Sequence, residues 1–412
     1  MGPLAGIKVL DLSRILAGPW ATQCLADFGA TVWKVEKPGS GDDTRHWGPP
    51  WVKDGKGKDT GEAAYFASAN RGKHSLAIDF TKPAGQQIVR SLAMRADVLI
   101  ENFKVGTLAK YRLGYVSMKG VNPRLIYCSI SAYGQDGPAA SEPGYDAMIQ
   151  AISGLMSVTG VPDGEPGAGP VKVGVAVSDL ITGMYAVTAI LAALVEREQS
   201  GRGEYIDLAL LDSQVAALAN QTLNYLVTGK SPIRRGTAHP NIVPYQAFPT
   251  KDAWLMLAVG NDRQFASFCK AVGRPALAKD KRFVTNAGRV KNRVALVSAI
   301  EKLCRTRTTK GWVKLLTRAA VPCGPINSIA EVFAEPQVKH RKLRFELPHA
   351  LGGKLPQVKN PVFFSRNTLD YSISPPLLGE HTRAVLSAEL GLSHSEILSL
   401  IADGAIAQFP RD

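Results

Sequence analysis

The first third of the chain alternates short apolar runs with helical stretches, and this alternation constrains the fold more than any other feature. Strand-like runs occupy residues 7–12 and 31–36, separated by a helical segment at 19–28 that ends before Gly29. Further strand patterns at 75–80, 97–102 and 124–131 enclose a helix that Pro83 opens. This spacing is typical of βαβ units. It predicts a doubly wound α/β domain that binds its ligand beyond the carboxyl ends of the strands.

The remainder of the chain predicts a second, smaller domain. A long helix at about 180–199 is followed by a strand at 205–210 and another helix to about 226. Between 229 and 321, a strand pattern at 254–259 precedes Lys- and Arg-rich helical stretches, which favours an α+β domain. The apolar run 180–195 is short and closed by Asp179 and Glu196, so we expect a buried helix and no membrane span.

Composition narrows the possible partners and the compartment. The net charge of +14 comes from 49 basic and 35 acidic residues spread along the chain, without a long basic block or a nucleic-acid motif. We therefore expect no nucleic acid but consider a small ligand with several phosphates. The five cysteines are scattered without a CxxC pattern, and the first residues lack the features of a signal or transit peptide. These features predict reduced thiols and a cytoplasmic protein.

Several common catalytic motifs are missing from the sequence. It contains no Walker A motif, no GxSxG elbow and no HExxH. The Gly39-Ser40-Gly41 turn lacks the third glycine of a dinucleotide fingerprint. The seven histidines show no metal-ligand spacing, so we predict no metal site.

Basic residues cluster instead where predicted strands end. They occur in the segments 34–45 and 101–104, with Lys110 following shortly after, and the segment 70–75 adds positive charge just before the third strand. The segment 10–19 also joins the first strand to a helix start, where free N–H groups favour an anion. Because the ends of parallel strands converge on one edge, a phosphate-bearing ligand is one interpretation. The other is a scatter of solvated surface charges.

Asp179 stands where a loop of small residues meets the long apolar helix. One interpretation is an ordinary N-cap aspartate. The other is a nucleophile whose carboxylate the helix N-terminus keeps ionised. The two are compatible.

The motifs together carry a family resemblance. With the segments above, residues 143–146, 173–183 and 376–382 resemble the CaiB/BaiF family (family III) of CoA-transferases and racemases, in the family's order from about residue 4 to 400. Residues 234–239, 243–248 and 333–338 most resemble the subgroup that contains the succinyl-CoA:glutarate CoA-transferases and their bacterial dicarboxylate relatives.

The resemblance implies a role for particular residues. Asp179 would be the catalytic nucleophile, passing through a mixed anhydride and an aspartyl-CoA thioester. Arg71 and Arg289 would bind the distal carboxylate of a dicarboxylate substrate. CoA would be a substrate and not a permanently bound cofactor. The residues implied as CoA contacts are Leu16, Ala17, Lys37, Ile78, Asp79, Asn102, Phe103, Lys104, Lys110 and Tyr145.

Two departures from the family pattern narrow the chemistry. The racemases carry a histidine where this chain has Tyr145, and a phenol with a pKa near 10 is a poor proton shuttle at neutral pH. A 2-methylacyl-CoA racemase activity therefore stays only as the alternative. The oxalate-using members carry a glutamine where this chain has Leu16, which disfavours oxalate. Succinyl-CoA is the expected donor, while glutarate, 3-hydroxy-3-methylglutarate, itaconate and sulfinopropionate-like acids stay open as acceptors.

The resemblance also implies an architecture. It gives a Rossmann-like large domain whose N-terminal part is 1–200, a linker helix at 201–228, a small α+β domain at 229–325, and a linker with the C-terminal part of the large domain at 326–412. Two chains would interlock as a homodimer that binds acyl-CoA and a carboxylic acid. A non-catalytic polyanion-binding protein is the alternative from a different class, and salt-sensitive nucleic-acid binding without turnover would support it.

Overall fold

The computed structural model describes residues 2–409. In chain order its strands are β1 (Lys8–Asp11), β2 (Thr31–Glu36), β3 (Trp51–Lys53), β4 (Asp59–Ala63), β5 (Lys73–Ile78), β6 (Val98–Glu101), β7 (Ile126–Ser131), β8 (Gly160–Val161), β9 (Gly169–Pro170), β10 (Tyr205–Ala209), β11 (Tyr245–Pro249), β12 (Trp254–Ala258), β13 (Cys323–Pro325), β14 (Arg344–Pro348), β15 (Lys354–Val358) and β16 (Ile406–Ala407). Its helices are α1 (Ala17–Asp27), α2 (Ala64–Ser68), α3 (Pro83–Ala93), α4 (Thr107–Lys110), α5 (Tyr115–Val121), α6 (Asp146–Ile152), α7 (Leu155–Val158), α8 (Val177–Ser200), α9 (Leu210–Ala217), α10 (Asn220–Thr228), α11 (Asp262–Ala271), α12 (Pro275–Lys279), α13 (Asn286–Lys291), α14 (Arg293–Cys304), α15 (Thr309–Arg318), α16 (Ile329–Ala334), α17 (Pro336–His340), α18 (Thr382–Leu390) and α19 (His394–Ala402).

A seven-stranded sheet with the order β10-β7-β6-β1-β2-β5-β16 forms the main scaffold. All neighbours are parallel except β16, which runs antiparallel to β5. The chain builds outward from β1 first through β2 and β5, then in the other direction through β6, β7 and β10. This is the doubly wound order, and it leaves a crevice between the carboxyl ends of β1 and β6. The predicted α/β class with a parallel sheet is confirmed.

Contacts along the chain divide it into two compact units. The first comprises the chain up to Leu155, Lys172–Lys230 and the chain from Arg341 onward, and the second comprises Met156–Val171 and Ser231–His340. The predicted boundaries assigned 156–171 to the large domain. In the structure this segment forms the β8–β9 hairpin, and Arg234 donates to the Val161 carbonyl at 3.1 Å. The hairpin therefore groups with the second unit.

The second unit contains an antiparallel sheet, β11-β12-β13. Helices α11, α14 and α15 contribute Phe265, Leu296 and Trp312 to its core, where they meet Phe248 and Leu257 of the sheet. Alternating apolar residues on the strands and amphipathic helices account for this small α+β core.

Helix α8 is buried along one side in the first unit. Ala186, Val187 and Ile190 join the core that covers β1 and β6. A Cβ on Gly183 would lie 2.7 Å from the Ala17 carbonyl oxygen, so only glycine allows α8 to approach α1 this closely. Among residues 2–409, only α8 is long and apolar enough to cross a membrane by length and composition. A core helix passes the same test, so this is weak evidence for a span.

Two lysines at strand ends are completely buried among carboxylates of the first unit. The Lys34 ammonium donates to the Asp42 carboxylate and the Ser13 carbonyl, both at 2.9 Å. The Lys73 ammonium lies 3.2 Å from the Asp11 carboxylate, and burial lowers the pKa of Lys73 to about 8. Lys34 thus joins β2 to the segments that follow β1 and β2, and Lys73 joins the start of β5 to the end of β1.

Arg45 is a third internal cation at this edge. Its guanidinium donates to both Glu36 carboxylate oxygens, at 2.7 and 2.8 Å, and lies 3.6 Å from the centre of the Phe66 ring. Neither interpretation of the basic strand ends therefore holds for Lys34, Arg45 or Lys73. They are neither solvated nor open to phosphate, because carboxylates at the same edge neutralise them.

Removing one of these buried charges should destabilise the fold much more than removing a surface charge. In Lys34→Met, Asp42 and Asp11 lose a close counter-charge in a water-poor site, so we expect the free energy of unfolding to fall by about 3–5 kcal/mol. Lys8→Met is the matched control, because Lys8 pairs with Glu389 at 2.7 Å at a partly exposed position. The control should lose less than about 1 kcal/mol. Urea unfolding followed by circular dichroism measures both, and equal losses would show that the buried network contributes nothing special.

Candidate active site

Asp179 lies in the first turn of α8, as the third helical residue. The cap position belongs to Ala176, whose side chain caps nothing. The Asp146 carboxylate fills this role, because its Oδ1 accepts the N–H groups of Ser178 at 2.8 Å and Asp179 at 3.2 Å. The interpretation of Asp179 as an N-cap is therefore wrong, and its carboxylate is not used to terminate the helix.

Asp146 is itself held by a buried amide. Gln150, one turn further along α6, donates from Nε2 to the Asp146 Oδ2 at 2.6 Å. The Gln150 Oε1 accepts the Val173 N–H at 2.9 Å, and the Ser178 hydroxyl donates to the Gln214 Oε1 at 2.8 Å. The start of α8 and the loop before it are thus fixed from both α6 and α9.

The electrostatics at Asp179 differ from the sequence expectation. Burial, and to a smaller extent the nearby Asp146 carboxylate, together raise the pKa of Asp179 to about 7. A helix N-terminus favours the charged form by only about 0.3–1 kcal/mol, whereas burial with a like charge shifts a carboxyl pKa by several units. The expectation that the helix keeps this group ionised at its ordinary pKa is therefore corrected. Near neutral pH the group is divided between its acid and its anion.

Tyr65 lies near this carboxylate pair. Burial raises the pKa of the Tyr65 phenol, followed by the charges of Asp179 and Asp146. Tyr65 was not predicted from the sequence, and Asp146 was predicted only as part of the motif at residues 143–146. The spacing offered no signal, since the bond from Asp146 to the Asp179 amide crosses 33 positions of sequence.

Three of the predicted CoA contacts meet at the crevice between β1 and β6. The Asn102 side chain accepts the Arg14 N–H at 2.8 Å and donates to the Arg14 carbonyl at 2.7 Å. Ile15 follows in the left-handed region, with φ of 68°, and its N–H points to the Asp42 carboxylate at 3.2 Å. Leu16 and Ala17 then begin α1. The structure therefore brings Leu16, Ala17 and Asn102 to one edge.

Three further members of the predicted CoA set, Ile78, Asp79 and Phe103, lie where β5 and β6 end. Ile78 ends β5 with its side chain buried, and Asp79 directly after it accepts the Thr81 N–H at 3.0 Å. Phe103 packs edge-on against Phe80, with ring centres 5.5 Å apart. This contact joins the segments that follow β5 and β6.

The remaining predicted CoA residues are exposed. Lys37 follows β2, Lys104 follows β6 and Lys110 ends α4, and the structure records no ion pair for any of the three among residues 2–409. Tyr145 stands directly before α6 with 59% of its surface exposed, next to Asp146. Unlike Lys34 and Lys73, these lysines are free to meet a phosphate.

The two predicted substrate arginines have internal partners, each within its own unit. Arg71 donates to both Asp27 carboxylate oxygens, at 2.8 and 2.6 Å. Arg289 is fully buried and donates to the Val243 carbonyl at 2.7 Å and to Asp262 at 2.8 Å. These ion pairs explain the burial of both guanidiniums, and a contact of either with substrate stays a prediction.

Carboxylates are the reactive groups that the chain itself presents at the start of α8. The described residues contain no group of three or more His, Cys, Asp or Glu side chains that could hold a metal ion. A partly buried carboxylate with a raised pKa is able to attack an acyl carbon or to exchange a proton. The arrangement at Asp179 suits either reaction.

Comparison with known proteins gives a family and several relatives. The family model described as CoA-transferase family III matches residues 4–382. A succinate–glutarate CoA-transferase of Agrobacterium fabrum is 51% identical over 390 residues, which cover 93% of this chain and 95% of the relative. A succinyl-CoA:glutarate CoA-transferase of Homo sapiens is 44% identical over 406 residues, covering 98% and 90%.

The fold has a close match among solved structures as well. The crystal structure of a CaiB/BaiF family protein from Brucella suis superposes with a TM-score of 0.82 at 47% identity. The match covers 94% of this chain and 99% of that one. The likeness therefore extends over both units and not only over the parallel sheet.

The like charge of Asp146 should be measurable in the titration of Asp179. In Asp146→Asn the amide oxygen still accepts the two N–H groups, but the negative charge is gone, so the Asp179 pKa should fall from about 7 by about half a unit to one unit. A ¹³C NMR titration of labelled aspartates, assigned with Asp179→Asn, measures this. Asp212→Asn on the exposed surface of α9 is the control and should leave the Asp179 pKa in place. An unchanged pKa in Asp146→Asn would show that Asp146 acts only as a cap.

Proposed function

The chain belongs to CoA-transferase family III, and we propose that it transfers coenzyme A from succinyl-CoA to a dicarboxylate such as glutarate. The observation that carries the proposal is the identity of 51% and 44%, over nearly the whole chain, to relatives named for this pair of acids. The racemase alternative is not favoured, since the family model and these relatives are CoA-transferases and Tyr145 stands where racemases carry histidine.

Asp179 is the proposed nucleophile. Its support is positional and electrostatic: it lies in the first turn of α8, its amide is held by Asp146, and its pKa is about 7. A carboxylate with a raised pKa is more basic, and hence a better nucleophile, than an ordinary aspartate, provided that it is ionised. The positive end of the α8 helix dipole also favours the negative charge that develops on an acyl oxygen during attack.

The proposed reaction exchanges one thioester for another. An Asp179 carboxylate oxygen attacks the succinyl thioester carbon, the C–S bond breaks, and a mixed anhydride and the CoA thiolate form. The thiolate attacks the aspartyl carbon, which releases succinate and leaves an aspartyl-CoA thioester. The acceptor carboxylate attacks this thioester to give a second anhydride and free thiolate. The thiolate then attacks the acceptor acyl carbon, forming the new acyl-CoA and restoring the Asp179 carboxylate.

CoA is proposed to lie along the crevice edge described above. The two hydrogen bonds between the Asn102 side chain and the Arg14 backbone hold Asn102 beside Leu16 and Ala17. Ile78, Asp79 and Phe103 extend the same edge. The exposed lysines Lys37, Lys104 and Lys110 offer positive charge to the phosphates. Tyr145 is proposed as a contact beside the reacting end, next to Asp146.

Arg71 and Arg289 are the proposed contacts of the distal carboxylate, and the motif resemblance supports them. A guanidinium fork is a natural partner for a carboxylate. Because Asp27 and Asp262 occupy these guanidiniums, a substrate carboxylate would compete with an existing ion pair at either position.

We also propose an interlocked homodimer in a reducing, cytoplasmic compartment. The first unit leaves large apolar side chains exposed on α8 and α10, including Met184, Tyr185 and Leu226. We propose that a second chain covers these side chains, since exposed apolar patches mark protein–protein interfaces. Free thiols at all five cysteines support a reducing compartment.

A direct assay tests the proposed transfer. Succinyl-CoA is incubated with a panel of dicarboxylates, and new CoA esters are followed by mass spectrometry for the native protein, Asp179→Asn and the control Asp212→Asn. The native protein and the control should transfer CoA, and Asp179→Asn should lose at least about 10³-fold in rate. Without an acceptor, the native protein should also gain a CoA adduct on the peptide that carries Asp179. Full activity in Asp179→Asn would overturn the nucleophile, and no transfer to any acid would overturn the substrate class.

The raised pKa of Asp179 predicts how the rate depends on pH. Because the nucleophile must be ionised, kcat/KM for succinyl-CoA should fall about tenfold per pH unit below the Asp179 pKa, which is about 7 in the structure. A rate that stays level down to pH 5 would contradict this.

The raised pKa of Asp179 also predicts that the folded protein becomes less stable as pH rises, whereas the rate increases. A carboxyl group with a raised folded-state pKa binds its proton more tightly in the folded protein, so its contribution to stability is lost as pH rises from about 4 to about 7. Asp179→Asn removes this cost and should raise the free energy of unfolding at pH 8 by about 1–3 kcal/mol. Thermal unfolding at pH 8 and pH 4 checks this, and a gain of equal size at both values would contradict it.

A further inference from the structure

The second unit contains a pocket of about 520 Å³ whose lining includes three cations and no carboxylate. The cations are Arg235, Lys291 and Arg293. Pro240, Val290 and Val294 supply apolar surface beside them. None of its lining residues is among those proposed to bind CoA or the acid substrate.

The cations of this pocket differ from their sequence neighbours in having no acidic partner. Arg234 pairs with Asp163, and Arg289 pairs with Asp262. Among residues 2–409, by contrast, the structure records no ion pair for Arg235, Lys291 or Arg293. Guanidiniums and ammonium groups gathered without a counter-charge repel one another, and an anionic ligand relieves that repulsion.

Arg293 is oriented by the backbone and not by a carboxylate. One of its terminal nitrogens donates to the carbonyl oxygens of His239 at 3.0 Å and Pro240 at 2.8 Å. Burial lowers the pKa of Arg293, and the nearby guanidinium of Arg235 lowers it further. Two arginines are therefore held close together at the same pocket.

The start of α14 adds hydrogen-bond donors to the pocket. This helix begins at Arg293 and runs for 12 residues, with no acidic residue in its first turn. Its cap residue, Asn292, provides no side-chain cap, because its amide donates away to the Gly288 carbonyl at 2.9 Å. The first-turn residues Arg293, Val294 and Ala295 all line the pocket, and a helix leaves its first N–H groups without a partner inside the helix.

We infer that this pocket binds the phosphate of a nucleotide-sized phosphomonoester. A phosphate dianion offers three oxygens, which match two guanidinium forks, an ammonium group and the N–H groups of a helix start. A volume of about 520 Å³ is larger than a lone ion needs and is within the range of small-molecule sites. Pro240, Val290 and Val294 offer the remainder of the ligand an apolar contact. The inference goes beyond the proposed function, since it assigns a site in the second unit that stands or fails independently of transfer at Asp179.

Two sources of such a phosphate are chemically equivalent at this pocket. One is the 3′-phosphate end of the CoA substrate itself. The other is a separate phosphorylated metabolite that binds alongside the reaction. Both place a ribose phosphate against the same three cations, and the experiment below distinguishes them.

Calorimetric titration of the full chain with adenosine 3′,5′-bisphosphate tests the inference. Arg235→Gln and Lys291→Gln should each weaken binding at the pocket at least tenfold, while Lys314→Gln, an equal charge change on the exposed side of α15, should alter it less than twofold. The double variant Lys37→Gln/Lys104→Gln removes charge from the proposed CoA edge and should leave the pocket binding intact. A melting temperature within about 2 °C of that of the native protein verifies that each variant is folded.

The outcomes separate this inference from the proposed function. Absence of binding at millimolar probe, an equal loss in Lys314→Gln, or a loss confined to Lys37→Gln/Lys104→Gln would each overturn the pocket, whatever the transfer assay shows. If the pocket variants lose the probe and their KM for succinyl-CoA rises in parallel, the phosphate is that of CoA. If they lose the probe with KM unchanged, a separate metabolite is the ligand.

Discussion

The buried charges where β1 and β2 end and β5 begins are the constraint on which the site depends. Lys34 and Lys73 have no exposed surface, and their nearest carboxylates are equally buried. Such a network is stable only when every member is satisfied, so it fixes the loops that supply its members. Asp42 is an example, because the same carboxylate that pairs with Lys34 also lies 3.2 Å from the Ile15 N–H. The loop before α1, where CoA is expected, is therefore positioned from beneath by electrostatics.

Two opposing effects set the character of Asp179. The positive end of the α8 helix dipole favours the anion, while burial and the Asp146 carboxylate favour the acid. The result is a pKa of Asp179 raised to about 7, so its carboxylate is more basic than that of an ordinary aspartate. Asp146 takes part in both effects, since it accepts the amides at the start of α8 and repels the charge of Asp179. A cap from within α8 would have fixed the helix end without this electrostatic effect.

The main strands and helices could be predicted from local sequence patterns, because each pattern depends on residues that are neighbours along the chain. The strands of the parallel sheet, α1, α3 and α8 follow from apolar periodicity and from Pro83 and Gly29. The site was harder to predict from the sequence, because the residues that contact one another there are distant along the chain. Lys73 lies 62 positions from Asp11 in sequence, so a basic residue at the start of a strand, which the sequence suggested as a phosphate contact, forms an internal ion pair. The pKa of Asp179 depends on burial, which no spacing reveals. The exposed Lys37, Lys104 and Lys110 carry no such partner, and for them the sequence interpretation is still open.

The close approach of Gly183 to Ala17 limits how far α8 can move relative to α1. Gly183 lies four residues after Asp179, on the same face of α8, and faces the backbone of Ala17. The separation between the reactive carboxyl group and the start of α1 is thus set by main chain against main chain, without a flexible side chain between them. Close-packed backbone has little compressibility. Small displacements of either helix are therefore shared by the other, so the Asp179 carboxyl group and the proposed CoA contacts at the start of α1 move together.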